Sequence, residues 1–117
     1  MKHVRTTLLL LIAVSSAPTF TLAADAEAGL LAIKALGGVN GQALACAETS
    51  VAARAKQLML AHAPKTQRFG AAYEEATQEA FSAQTRSGKP CADATELTAR
   101  LNQLALQLSE TLPVAAK

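Results

Sequence analysis

Few side chains in this chain could do chemistry. Cys46 and Cys91 are its only cysteines. A redox-active dithiol needs its sulfurs close together, as in a CxxC at a helix start, and these two are far apart in the sequence. In an oxidising compartment such an isolated pair closes into one structural disulfide. Closing a loop of that length contributes about 4 kcal/mol on the chain-entropy model. The pair therefore reads as a brace rather than a catalyst.

His62 lies three residues after Met59, a spacing that brings an imidazole nitrogen and a thioether sulfur to one side of a helix, where a soft ion such as copper could bind. Two ligands are too few, and oxidised cysteines supply no thiolate. A histidine at the end of an apolar face more commonly caps or packs, so no metal site and no cofactor are assigned. Ser50, His62 and Asp93 supply the residue types of a hydrolytic triad, but no nucleophile-elbow pattern surrounds any serine. Glu74, Glu75 and Glu79 read as a solvated helix face rather than paired acid–base carboxylates. Gly37, Gly38 and Gly41 follow a helical stretch and lack the Lys-Ser/Thr pair of a phosphate loop. The expectation is a protein that is not an enzyme.

The amino terminus has the form of a secretory signal. Lys2 and Arg5 make a positive start, Leu8 to Val14 an unbroken apolar run, and Thr21, Leu22, Ala23 and Ala24 a small-residue exit. Ser15, Ser16 and Pro18 interrupt the run before it reaches the roughly 20 residues of a membrane span. Cleavage after Ala23, with Ala26 as the alternative, leaves residues 24–117 as a single domain, with residues 1–23 discarded. No cysteine follows the run to carry a lipid anchor. The destination is the periplasm or the medium, and no membrane association is expected after cleavage.

Export also changes the charge argument. The 117 residues carry 11 Lys and Arg against nine Asp and Glu, and the excess lies in Lys2 and Arg5. What remains is neutral, and no basic cluster with interleaved aromatics points to nucleic acid. Only 3% of the chain is aromatic and Trp is absent, so the core is built from Leu and Ala.

Four helical stretches must position these residues. Residues 26–36, with Leu30, Leu31, Ile33 and Leu36, form a short first helix ending at Gly37-Gly38, and Val39-Asn40-Gly41 form a turn in which Asn40 caps the next helix. A second stretch from Gln42 to Ala63 places Leu44, Val51, Ala55, Leu58 and His62 on one side. A continuous helix would aim Cys46 away from that stripe, so a break near Thr49-Ser50 is expected, with Ser50 capping the new helix. Pro64 introduces a third helix, Lys65 to Arg86, with Phe69, Tyr73, Ala76, Ala80 and Ala83 in a stripe. Ser87-Gly88-Lys89-Pro90 ends it. Asp93 and Glu96 form a capping-box variant for a fourth helix whose Leu97, Leu101, Leu104, Leu108 and Leu112 recur at heptad-like spacing until Pro113. Nothing alternates like a strand. The fold expected is all-α, a small bundle of about four helices stapled by Cys46 and Cys91 after a cleaved signal peptide.

Leu60, Phe81 and Leu106 each fall off the main stripe of their helix and are candidates for a partner-binding surface, toward another protein or a second copy of this one. The sequence favours a non-enzymatic, protein-binding, accessory or inhibitor-type module. In architecture alone the chain also resembles the small disulfide-bonded helical chaperones of the acid-stressed periplasm; independently, protonating the nine carboxylates would leave nine basic residues uncompensated, loosening a thin core and exposing apolar helix faces. A small copper-binding protein using Met59 and His62 is the third reading.

Overall fold

A computed structural model describes residues 20–114, with side chains from Ala26 onward. The expected leader, residues 1–23, and its cut after Ala23 lie outside the residues whose side chains are described. Four helices make up the domain: α1 (Phe20–Ala45), α2 (Thr49–His62), α3 (Gln67–Ser87) and α4 (Ala94–Thr111). The Cys46–Cys91 disulfide is closed, with 5.8 Å between the Cα atoms, and ties the end of α1 to the segment leading into α4.

Contacts between the helices set their directions. Glu27 pairs with Arg68, and Asn40 further along α1 bonds to Thr77 further along α3, so these two helices run parallel. Gln42 near the end of α1 meets Arg100 near the start of α4, and Gly29 near the beginning of α1 meets Leu112, so these two are antiparallel. The order is therefore up, down, up, down, with α1 as the spine. It packs against all three others, α2 also touches α4, and α3 makes its substantial contacts with α1 alone.

The apolar face of α4 results directly from its leucine spacing. Leu97, Leu101, Leu104 and Leu108 are buried against Ile33, Leu36, Val39 and Ala43 of α1 and Val51, Ala52 and Ala55 of α2. Removing one such leucine from water contributes about 1.5–3 kcal/mol. From α3, only Phe69 and Ala72 reach the fully buried set.

The first helix differs most from its expected form. It does not stop at Gly37-Gly38 but runs unbroken through Gly41 to Ala45. The glycines serve packing rather than termination. A Cβ at Gly37 would lie 2.5 Å from the carbonyl oxygen of Tyr73 and 2.9 Å from the Cβ of Ala76. One at Gly41 would crowd the Thr77 carbonyl and lie 2.8 Å from the Ala80 Cβ. The Gly37-x-x-x-Gly41 pair thus lets the backbones of α1 and α3 approach where any side chain would hold them apart. Asn40 is consequently not a cap; it is buried in mid-helix and donates from Nδ2 to Thr77 Oγ1 at 3.2 Å.

The expected break before α2 is present, shifted toward the N-terminus. Helix α1 closes when Ala47 adopts φ 57°, and the Glu48 N–H donates to the Ala43 carbonyl at 2.8 Å, the six-to-one bond of a Schellman turn. Glu48 occupies the N-cap position without a side-chain bond, and Ser50 is the second helical residue rather than the cap. Leu44, placed by its spacing on the core stripe, belongs to α1 and is 49% exposed. Leu31 is exposed as well, because its helix buries the neighbouring Leu30.

Pro64 stands outside α3, which starts at Gln67 after Thr66, so it ends one segment rather than opening the next. Gly88 closes α3 at φ 64°, as its position after the stripe suggests. Asp93 caps α4 by accepting from the Glu96 N–H at 2.8 Å, but Glu96 turns forward to Arg100 rather than back, leaving half a capping box.

Candidate docking groove

Because α3 leans on α1 alone, an open channel separates α3 from α4 with α1 as its floor. Two hollows make up this channel. The first, about 560 Å³, lies between Lys34, Ala35 and Gly38 of α1 and the Ala72, Glu75, Ala76, Glu79, Ala80 and Ala83 side of α3. The second, about 330 Å³, lies between Ala35, Gly38, Val39 and Gln42 and the Arg100, Gln103, Leu104 and Gln107 side of α4. Ala35 and Gly38 belong to both, so the hollows join across the smallest residues of the helix. Leu31, one turn before Ala35 and 63% exposed, continues the same face.

Gly38 differs from the two glycines around it. Among the described residues, a Cβ there would meet nothing within 4 Å. The walls differ in charge: Glu75 and Glu79 stand one turn apart on α3, whereas the α4 side presents Gln103 and Gln107, with Arg100 bound to Gln42 and Glu96. No family model, curated protein or solved structure matches this chain. The geometry of the site is therefore what bears on its role.

The residues singled out in the sequence are spread over the bundle. Leu60, on α2, is 59% exposed and lines a small hollow with Pro64, Lys65 and Gly70 at the α2–α3 connection. Phe81 is 38% exposed toward the other end of α3, where its backbone N lies close to Gly41. Leu106 is 69% exposed on α4. By helical position it points away from the leucine stripe.

His62 ends α2, and its Nδ1 is 2.8 Å from the carbonyl oxygen of Leu112, just past the end of α4. A carbonyl only accepts, so Nδ1 carries the proton and the imidazole joins two helix ends. Met59 packs against the core from a partly buried position. Among the described residues no three or more His, Cys, Asp or Glu side chains converge on a point. Ser50 and His62 lie at opposite ends of α2, about 18 Å apart along its axis, and Asp93 is engaged as a cap, so the three do not assemble.

One further group is buried beside α1. Among the described residues the buried Tyr73 hydroxyl has no hydrogen-bond partner, and burial pushes its pKa from 10.0 up to about 12. The groove itself was hidden in the sequence because its floor is made of Ala35 and Gly38, residue types that carry no hydropathy signal; a glycine mid-helix was the available clue.

Proposed function

We propose that the mature chain is a small exported, non-enzymatic binding module of the periplasm or medium, and that it receives a helix of a partner protein in the groove floored by Ala35 and Gly38. The observation that carries this reading is the environment of Gly38. A glycine inside a helix costs about 0.5–1 kcal/mol relative to alanine. At Gly37 and Gly41 close approach of α3 offsets that cost, and at Gly38 no contact within the described domain does. A small residue beside open space suits the near approach of another backbone. The closed disulfide fits an oxidising compartment outside the cytosol.

The test places a photo-crosslinking residue in the groove, at Ala35 or Gln107, and on the far side of α4, at Thr95 or Asn102, in cells that export the protein. Protein adducts at the groove positions alone support the reading. Adducts at neither pair, or equally at both, overturn it.

One observation favours a second reading, an acid-stress chaperone: α3 lends only Phe69 and Ala72 to the buried core, so little buried apolar area joins it to the other helices. Suppression of client aggregation confined to pH below about 4 would support it, and equal activity at neutral pH would exclude it.

A further inference from the structure

We propose that the helix received by the groove is α2 of a second copy of this chain, joining copies head to tail. The inference rests on reading the groove as a docking surface, and names its occupant.

Charge selects α2. Over Thr49–His62 it carries Arg54 and Lys56 and no acidic residue. Among the described residues neither cation is in an ion pair, and neither is Glu75 or Glu79 on the α3 wall of the groove. Of the groove's own cations, Arg100 is held by Glu96 and Gln42, leaving Lys34 at the edge as the one charge that opposes docking.

Shape agrees with charge. Ala53, Gln57 and Leu60 recur at i, i+4 and i+7 along the outward side of α2, and all three are exposed. Arg54 and Lys56 flank this stripe on opposite edges, so in either orientation one cation faces Glu75 and Glu79 while the other lies toward Gln103 and Gln107. The small Ala53 side chain and the absent side chain of Gly38 allow the two helices to come close. Leu60 then leaves water against the apolar floor, which accounts for a large aliphatic residue left exposed on α2. The groove and the outward side of α2 are different surfaces of one molecule, so the contact is heterologous. It builds chains or rings, not a two-fold dimer.

The test uses the oxidised mature protein and two variants, each altering one of the two surfaces. Gly38→Arg fills the groove and repels Arg54 and Lys56; open space at Gly38 lets the fold accept it. Arg54→Glu with Leu60→Ser alters only exposed positions of α2. Unchanged helicity and melting by circular dichroism establish that both variants are folded. Sedimentation should show wild-type oligomers that grow with concentration and shrink with added salt. Each variant alone should associate at least tenfold more weakly, and an equimolar mixture should form a dimer and nothing larger, because one intact groove and one intact α2 surface remain between them.

A wild type monomeric at every concentration, a mixture that stays monomeric, or either variant alone associating as tightly as wild type overturns the proposal. Photo-crosslinking from Ala35 separates this failure from that of the groove: adducts to a different protein, with no copy-to-copy product, would leave the docking surface standing and remove only its occupant.

Discussion

Gly37 faces the backbone carbonyl of Tyr73 so closely that an added Cβ would lie 2.5 Å from its oxygen. The obstacle is main chain rather than the end of a flexible side chain, so relief requires α1 and α3 to separate. Gly37→Ala should destabilise the domain by about 1–3 kcal/mol through overpacking. Gly38→Ala, one residue away and facing open space, should stabilise it by about 0.5–1 kcal/mol by raising helix propensity. Urea titration of both variants checks the pair, and equal effects of one sign would contradict the α1–α3 seam.

Replacing both cysteines with serine should lower stability by about 4 kcal/mol, since the disulfide closes a loop spanning a sequence separation of 45. The comparison is made against oxidised wild type in denaturant. The helical content of the folded variant should be retained, because the buried leucines of α4 still join it to α1 and α2.

Alkaline titration should report on Tyr73. Its pKa is raised to about 12 in the fold against 10.0 for the free group. Between those values the unfolded chain releases the phenolic proton while the folded chain retains it, so stability is intact below pH 10 and falls as pH climbs toward 12. Tyr73→Phe should remove this slope, visible as a difference between the two melting-temperature profiles. At neutral pH the variant should be at least as stable as wild type, since the hydroxyl it loses has no partner.

Ala47 holds φ 57° at the end of α1, a conformation in which its Cβ is strained. Ala47→Gly should therefore stabilise the domain by up to about 1 kcal/mol, against the usual direction of a glycine substitution. Thermal melts of the oxidised protein would measure it, and a loss of stability would argue against the left-handed closure beside Cys46.

Much of this architecture is legible in the amino-acid order. The leucines from 97 to 108 mark one buried face because their spacing matches the helical repeat, and Asp93 and Gly88 mark helix ends because their side-chain chemistry acts locally. Gly37 and Gly41 mislead for a physical reason. Glycine signals a helix end when only local propensity is considered, whereas here a helix well downstream in the chain makes its small size an asset. The groove is illegible for a related reason: it arises from the lack of substantial contact between α3 and α4, and a missing contact leaves no periodicity to read. The exposed Leu31 and Leu44 belong to the same problem, since which side of a long helix faces inward depends on how many neighbours surround it.

With α1 as its sole main support, α3 can detach without breaching the leucine layer shared by α1, α2 and α4. The molecule thus divides into a three-helix unit built on the leucine layer and a helix joined to it through the close Gly37–Gly41 seam, and amide hydrogens along α3 should exchange with solvent as a group separate from those of α4. Whatever stiffens the channel beside α3 would slow that exchange first.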